Sequence, residues 1–287
     1  AIGVSAARLR LLLYSLVGAG LLIEQDGRFS NAPEAQHFLV KGAPSYIGYI
    51  QADLAYQWAG KLKTAASLQT GVPQALRDFS QSPQEELEAF LRRIQPRSSA
   101  AAHSLVGQHD FSSVTTLADI GGGAGGLAIA FTKACPHLHA TVIDLPQVTP
   151  ITHKIVAEEG VTDRVTVLAA DVVRDPLPGS YDVAVAKALL QVLSPEQARR
   201  AVQNIGAAIR PGGTIYIVGQ ILDNSRTSPP EAMGFNLQFI NLYEVGESYT
   251  EQEHRTWLSE AGFVEIERAD SSSAGESLIK ARKRRPA

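Results

Sequence analysis

The hydrophobic pattern in the second part of the chain alternates between short apolar runs and stretches with helical spacing. Five apolar runs predict consecutive buried strands, at 114–120, 140–145, 165–169, 181–187 and 214–219. Two further strands are predicted at 263–268 and 277–282, and the short loop between them makes this pair antiparallel. The pattern therefore predicts an α/β fold with a Rossmann-like seven-stranded sheet whose last strand is antiparallel.

The first 109 residues carry a different, mostly helical pattern. Leucines at helical spacing between positions 9 and 16 are followed by two short strands around Asp26-Gly27, which is typical of the end of a winged helix. The helices that precede such a hairpin are absent, so the sequence is expected to begin inside this unit. We therefore predict a winged-helix-like and helical domain over 1–109 and a sheet domain over 110–287.

Composition and charge exclude several classes of protein. A chain of 287 residues, 45% hydrophobic and 19% charged, suits one sizeable globular domain and a smaller one. A net charge of −3 gives no electrostatic case for nucleic-acid binding. Neither a signal peptide nor a membrane span is predicted, and the single cysteine favours a reducing compartment, so we expect a cytoplasmic protein. No histidine, cysteine and carboxylate set has metal-ligand spacing, so no metal is expected.

A glycine cluster follows the first strand of the predicted sheet. Gly121, Gly123 and Gly126 satisfy G-x-G-x-x-G, a pattern that lets the backbone approach a bound nucleotide closely. The pattern alone does not distinguish one nucleotide cofactor from another. Asp119 precedes the first glycine, and its carboxylate would repel a pyrophosphate but attract a ligand that carries an ammonium and a sulfonium. The loop therefore indicates S-adenosylmethionine.

Polar residues recur where the next strands end. Asp144 ends the second strand, slightly more than 20 residues past the glycine loop, where a carboxylate accepts the ribose hydroxyls of a nucleotide. Asp171 follows the third strand, and Lys187 closes the fourth. Any one of these carboxylates alone would be an ordinary turn residue. Because ligands bind at the carboxyl edge of a parallel sheet, the recurrence predicts that the side chains surround the cofactor.

Together these features resemble the plant-type or hydroxyindole-type class of S-adenosylmethionine-dependent small-molecule O-methyltransferases, which includes enzymes of bacterial antibiotic and pigment biosynthesis. The resemblance covers essentially the whole chain, including the Arg-Pro-Gly-Gly turn at 210–213. It implies a homodimer formed through the N-terminal domain, with no nucleic-acid or membrane partner. The cofactor-binding residues are then Asp119, Gly121, Gly123, Asp144, Leu145, Asp171, Val172 and Lys187.

The chain departs from this family where the catalytic base should lie. The family carries His-Asp-Trp after the lysine of the fourth strand, whereas positions 191–193 here are Gln-Val-Leu. Gln191 takes the place of the histidine, and an amide cannot accept a proton. The two acidic residues that orient the histidine fall on Gly219 and Ser248. The only catalytic role predicted for Gln191 is therefore to position the substrate.

Methyl transfer can proceed without a base if the nucleophile ionises easily. General base catalysis contributes about 10² to 10⁴ in rate, whereas orientation of the reactants can contribute more. We therefore predict methyl transfer to a small aromatic or polyketide-like metabolite with an easily ionised oxygen or carbon nucleophile, leaving S-adenosylhomocysteine. A helix predicted over 231–244 faces this substrate. Its substrate-binding residues are predicted to be Met233, Asn236, Phe239 and Tyr243.

Three other functions stay open on the sequence. The cofactor site can serve a reaction other than methyl transfer, such as decarboxylation, hydroxylation or cyclisation, in which the sulfonium acts electrostatically. A regulatory binder would use the winged helix as its output, although no strongly basic helix is visible. A nicotinamide oxidoreductase is disfavoured by Asp119.

Overall fold

The computed structural model describes residues 3–43, 46–76, 82–270 and 276–286. Contacts between Cα atoms divide the chain into two compact units, Ala1–Ala55 and Tyr56–Ala287. The assignment of residues 1–109 to one functional domain stays a prediction. No described helix is both long and apolar enough to cross a membrane.

The N-terminal unit contains the predicted helix and hairpin. Its elements are α1 (Ala6–Gly18), β1 (Leu22–Gln25), β2 (Arg28–Asn31), α2 (Pro33–Phe38) and a 3₁₀ turn at Gly48–Ile50. The strands β1 and β2 are antiparallel, and Asp26 and Gly27 connect them with positive φ angles of 53° and 76°. Positive φ at both central residues is the requirement of the tight hairpin turn that matches the strand twist.

Three helices follow along the chain, α3 (Gln51–Lys61), α4 (Thr64–Thr70) and α5 (Gln84–Gln108). The spacing of apolar residues in the sequence predicts a helix over 82–94, and this end was wrong because α5 continues to Gln108 with Pro96 inside it. A proline removes one helical hydrogen bond. The apolar face of α5, which buries Leu87, Leu91 and Leu105, offsets that loss.

The large unit contains a seven-stranded sheet with helices on both faces. Its elements are β3 (Thr116–Ile120), α6 (Gly126–Ala134), β4 (His139–Asp144), α7 (Thr149–Glu158), β5 (Val165–Ala169), β6 (Tyr181–Lys187), a 3₁₀ turn at Leu190–Val192, α8 (Pro195–Ala208), β7 (Ile209–Gly219), α9 (Pro230–Leu242), α10 (Glu251–Glu260), β8 (Phe263–Asp270) and β9 (Ser277–Lys283). The strand order is β5-β4-β3-β6-β7-β9-β8, and β9 runs antiparallel to both of its neighbours. The predicted fold class is confirmed.

One predicted boundary in the sheet is wrong. The turn expected at 210–213 lies inside β7, which begins at Ile209. A register shift against β6 between Tyr181 and Val183 accommodates the extra residues, as a β-bulge does. Gly213 lies so close to the carbonyl oxygen of Asp182 that a Cβ there would be 2.6 Å from it, and this explains a glycine at the bulge.

Two apolar cores cover the two faces of the sheet, as the alternation of side chains along each strand requires. Leu117, Val142 and Val185 belong to the core that includes α5, α6 and α7. Ala118 and Ile143 belong to the opposite core, with residues of α8 and α10. The sequence also predicts two capping boxes, Ser194 with Gln197 and Thr250 with Glu253, and both are present at the starts of α8 and α10.

A buried histidine in α10 makes the stability of the fold depend on pH. The ring of His254 is 3% exposed and packs against Tyr249 and Trp257, and its Nδ1 lies 2.8 Å from the carbonyl oxygen of Thr250. Burial lowers the pKa of His254 to about 4, so the folded protein binds fewer protons than the unfolded chain between pH 4 and about 6.5. Stability is therefore complete above this window and falls as the pH drops through it.

We expect this histidine to remove about 2 kcal/mol from the free energy of unfolding between pH 7 and pH 5. Urea unfolding at a series of pH values measures the loss, and His254→Asn should flatten the slope in this window. The matched control is His153→Asn on α7, where the side chain is exposed. An equal slope in the His254 and His153 variants would contradict the assignment.

Candidate functional site

The winding of the chain creates a crevice between β3 and β6. From β3 the chain moves to β4 and β5 on one side, and then returns to β6 and β7 on the other. Ligands of open α/β sheets bind at this point of reversal, outside the carboxyl ends of the strands. The loop after β3 and the segment after β6 therefore form the two walls of the candidate site.

The loop after β3 has a conformation that requires glycine. Gly121, Gly123 and Gly125 have φ angles of 65°, 55° and 72°, in the left-handed region. At Gly122 a Cβ would lie 2.6 Å from the Cγ of Asp119. The missing Cβ of Gly122 thus makes room for the carboxylate beneath the loop, and Gly121 to Gly123 are partly exposed backbone that a ligand can approach.

Asp119 lies directly beneath this loop. Its side chain is only 2% exposed, and its Oδ2 accepts a hydrogen bond of 3.2 Å from the backbone N–H of Ala128. Burial raises the pKa of this carboxyl to about 7, and the nearby charge of Asp144 adds to the rise. A ligand with positive charge would favour the ionised form.

Asp144 holds the glycine loop to the end of β4. One carboxylate oxygen accepts from the N–H of Gly123 at 2.7 Å, and the other accepts from the N–H of Leu145 at 2.7 Å. Burial raises the pKa of this carboxyl, whereas the two N–H groups lower it. The side chain of Leu145 beside it is 37% exposed. The two carboxylates and the glycine loop are thus brought together as the sequence predicted.

The predicted residues after β5 are engaged in local structure. The Oδ1 of Asp171 accepts from the N–H of Val173 at 2.9 Å, which forms an Asx turn. The side chain of Val172 is 9% exposed and belongs to the core. Both residues follow β5 at the carboxyl edge of the sheet, on the far side of β4 from the glycine loop.

The chain changes direction after β6 at an alanine. Ala188 has a φ of 54°, an uncommon conformation for a residue with a Cβ. Leu189 next to it lies over the glycine loop, where a Cβ on Gly121 would be 3.0 Å from its Cδ1. The Nζ of Lys187, before the turn, lies 2.9 Å from the Oε1 of Glu276.

Gln191 lies in the 3₁₀ turn after β6 and is 8% exposed. Its Oε1 accepts a hydrogen bond of 3.0 Å from the backbone N–H of Gln220, just after β7. Because a backbone N–H can only donate, this contact identifies the oxygen of the amide. The group of Gln191 that remains for another partner is its NH₂, which is a donor.

The acidic partners of the family's histidine have no counterpart at this position. A Cβ on Gly219 would lie 2.6 Å from the Oε1 of Gln191, so a larger side chain there would have to displace this amide. Ser248 is fully buried, and its hydroxyl donates to the carbonyl oxygen of Ala232. The loop after α9 does reach the turn, because a Cβ on Gly246 would collide with the carbonyl oxygen of Gln191.

The four predicted substrate residues lie on α9 or directly after it. Phe239 and Tyr243 form a ring pair with centroids 5.4 Å apart, and Met233 is partly exposed. Asn236 has a structural contact, since its Oδ1 accepts from the N–H of Ser248 at 2.7 Å. Phe235 extends the aromatic row, with its ring 5.5 Å from that of Phe239.

Several residues of this edge escaped the sequence-based prediction. Phe235 lies four residues before Phe239, so helical spacing was a signal that could have found it. Gln220 and Glu276 carried no such signal, because they meet Gln191 and Lys187 only across the sheet.

The residues at the crevice fit S-adenosylmethionine by their chemistry. The glycine loop is partly exposed backbone without side chains, and the carboxylates of Asp119 and Asp144 suit a cation and a ribose diol. In the part of the chain that the structure describes, no three histidine, cysteine or acidic side chains cluster as metal ligands do. This fold and site define the class of S-adenosylmethionine-dependent methyltransferases.

Comparison with known proteins narrows the class to one family. The model of the O-methyltransferase domain matches residues 67–264. The chain is 30% identical to 3-hydroxy-5-methyl-1-naphthoate 3-O-methyltransferase of Streptomyces sahachiroi, over 97% of this chain and 82% of that protein. It is 29% identical to the tetracenomycin polyketide synthesis 8-O-methyl transferase TcmO of Streptomyces glaucescens, over 99% of this chain and 85% of that protein. The chain belongs to the O-methyltransferase family, and its cofactor is S-adenosylmethionine.

A solved structure supports the same fold. Human N-acetylserotonin methyltransferase in complex with S-adenosylmethionine superimposes with a TM-score of 0.80 at 23% identity, covering 98% of this chain and 84% of that chain. The family resemblance found in the sequence is confirmed.

Proposed function

We propose that this enzyme methylates an easily ionised hydroxyl of a small aromatic or polyketide-like metabolite, without a protein base. The observation that carries the proposal is the hydrogen bond from the N–H of Gln220 to the Oε1 of Gln191. It leaves the amide NH₂ of Gln191 as the group that faces a nucleophile at the position of the family's histidine. A donor stabilises an oxygen that already carries negative charge and cannot remove its proton.

The names of the relatives agree with this class of substrate. One acts on a hydroxynaphthoate and another in tetracenomycin polyketide synthesis. A hydroxyl para to a carbonyl group on an aromatic ring is more acidic than a simple phenol, because the carbonyl delocalises the charge, so a larger fraction of it is ionised near neutral pH. The row formed by Phe235, Phe239 and Tyr243 offers ring faces and edges that suit an aromatic acceptor.

The cofactor would be held by the residues at the crevice. S-Adenosylmethionine supplies an electrophilic methyl group on a positively charged sulfur. We assign Asp119 to its positive end, Asp144 to the ribose hydroxyls, and the backbone of Gly121 and Gly123 to close approach. The assignments that rest on the family resemblance alone are Leu145, Asp171, Val172 and Lys187.

The experiment is methyl transfer to a series of naphthols and phenols of similar shape and graded acidity. We expect mass spectrometry to detect a product that is one methyl group heavier, formed faster at pH 7 as the hydroxyl becomes more acidic. A rate that is independent of acidity, or fastest for the least acidic member, would contradict the proposal. Gln191→His should speed the weakly acidic members relative to the acidic ones.

Asp119 should make cofactor affinity depend on pH. Because its pKa of about 7 belongs to the protein without cofactor, binding of a cation favours the ionised form and releases a proton. We expect the Kd for S-adenosylmethionine to weaken about tenfold from pH 8 to pH 6. Calorimetric titration in buffers of different ionisation enthalpy measures the proton release, and Asp119→Asn should abolish it. A Kd that does not change over this range would refute the assignment.

We also propose that the N-terminal unit forms the interface of a homodimer. Helix α1 buries none of its residues, and the large apolar side chains of Leu11, Leu12 and Tyr14 are 60%, 55% and 51% exposed. A helix with such an apolar surface is typical of an association site. Sedimentation of the protein should give a dimer, and Leu11→Glu with Leu12→Glu should give a monomer.

A further inference from the structure

Lys187 and Glu276 form a deeply placed ion pair at the carboxyl edge of the sheet. Their charged atoms are 2.9 Å apart, and the side chains are 9% and 17% exposed. Every other ion pair between described residues has at least one side chain that is 25% or more exposed. The pair therefore stands apart from the ion pairs on the protein surface.

The sheet brings these two residues together from distant parts of the sequence. Lys187 ends β6 and pairs in register with Val218 of β7, which pairs with Leu278 of β9. Glu276 lies two residues before Leu278, directly before β9 begins. Because β9 is antiparallel to β7, its beginning lies at the edge where β6 ends. The ion pair therefore spans β7 at the carboxyl edge.

A contribution to folding stability does not by itself explain why an ion pair is buried at this position. Removing two charges from water costs free energy that their attraction only partly recovers, and apolar side chains of similar volume often do as well. A lysine without Glu276 would be worse, since Asp119, whose charge also acts on Lys187, would be left to offset a buried ammonium. The question is then what Lys187 and Glu276 do together at this edge.

Their position relative to the cofactor crevice suggests the answer. Lys187 ends β6, the strand that borders the crevice opposite the glycine loop. Asp119 of β3 pairs in register with Val185, two residues before Lys187, so both side chains lie on the same face of neighbouring strands. An uncompensated ammonium at this place would repel a cationic sulfur bound in the crevice.

We propose that Glu276 is a positioning residue that holds the Lys187 ammonium and cancels its charge, so that the crevice favours the positively charged sulfonium cofactor over its neutral thioether product. This rests on the proposed cofactor site. The consequence for turnover is direct, because a product that is bound less tightly than the cofactor inhibits less.

The test compares the Kd of S-adenosylmethionine with that of S-adenosylhomocysteine, measured by calorimetric titration. Both ligands carry the same ribose, ammonium and carboxylate and differ only in the sulfonium methyl group and its charge, so a change in the ratio of the two constants between variants reports on that charge. In Glu276→Gln we expect S-adenosylmethionine to bind about tenfold more weakly, whereas S-adenosylhomocysteine should change by less than about twofold. Equal weakening of both ligands, or no change in either, would overturn the proposal.

A double variant keeps the test usable if Glu276→Gln does not fold. Lys187→Met combined with Glu276→Gln contains neither charge, so it leaves no buried charge without a partner. If Glu276 acts by cancelling the charge of Lys187, the ratio of dissociation constants in this double variant should return to within about twofold of the wild-type ratio. A ratio at least tenfold below the wild-type preference for S-adenosylmethionine would overturn it.

A matched control lies at the opposite edge of the sheet. Glu159→Gln breaks an ion pair with Lys133 whose charged atoms are 2.6 Å apart, and it follows α7 far from the carboxyl ends of the strands. We expect both dissociation constants to stay unchanged in this variant. If the wild-type protein bound neither ligand, the proposed cofactor site itself would fail, which is a result distinct from an altered ratio.

Discussion

Replacing Asp144 by alanine is expected to weaken S-adenosylmethionine binding by about 100-fold, or about 3 kcal/mol. Two losses add up in this variant. The ribose hydroxyls lose a charged acceptor, and the glycine loop loses the contact between the N–H of Gly123 and the carboxylate. Calorimetric titration of the folded variant measures the change.

One further variant separates these two losses, and a second serves as a control. Asp144→Asn keeps an oxygen that can accept from Gly123 but removes the charge, so we expect an intermediate loss of about tenfold. Asp163→Ala removes an aspartate that precedes β5 at the opposite edge and is 74% exposed, and it should leave the Kd unchanged. Unchanged affinity in Asp144→Ala would remove this residue from the cofactor site.

Replacing Gly126 by alanine is expected to lower the free energy of unfolding by about 3 kcal/mol. At Gly126 a Cβ would lie 2.7 Å from the carbonyl oxygen of Gln95 and 3.2 Å from the Oγ of Ser99. These atoms belong to α5, which packs closely on α6 at this point. The backbone carbonyl group of Gln95 cannot rotate away from an added methyl group as a side chain could. Urea unfolding measures the loss.

A glycine-to-alanine substitution on α5 itself should change the free energy of unfolding in the opposite direction. Gly107 lies in an exposed part of that helix, and a Cβ there would meet nothing within 4 Å. Gly107→Ala should therefore stabilise the protein by about 0.5 to 1 kcal/mol, through helix propensity alone. If Gly126→Ala and Gly107→Ala shifted stability equally, close packing would not be the reason for Gly126.

Local patterns in the sequence indicated the residues that we assign to the cofactor. The glycine loop, Asp119 and Asp144 lie within 26 residues of sequence, and each follows from the geometry of one strand-loop-helix unit. Short apolar runs likewise predicted the central strands of the sheet, because strands that are buried on both faces are continuously apolar. The sequence also identified Gly126 as the third glycine of the motif, although only the structure shows that this glycine makes room for α5.

Features that depend on distant contacts could not be predicted in this way. The predicted helix ended too early, at 94, because helix propensity does not report the apolar face of α5 that packs on α6. The orientation of the Gln191 amide could not be predicted, since it depends on the N–H of Gln220, directly after β7. Glu276 joins Lys187 only because β9 is antiparallel, and no spacing in the sequence relates the two.

The pH dependence of kcat/KM at saturating S-adenosylmethionine tests most directly whether the enzyme works without a protein base. Two aromatic acceptors of the same shape, with hydroxyl pKa values about two units apart, would be compared over the same pH range. If the enzyme has no base at Gln191, the inflection of kcat/KM should move with the pKa of the acceptor. An inflection at one pH for both acceptors would show that a group of the protein removes the proton, and would contradict the account.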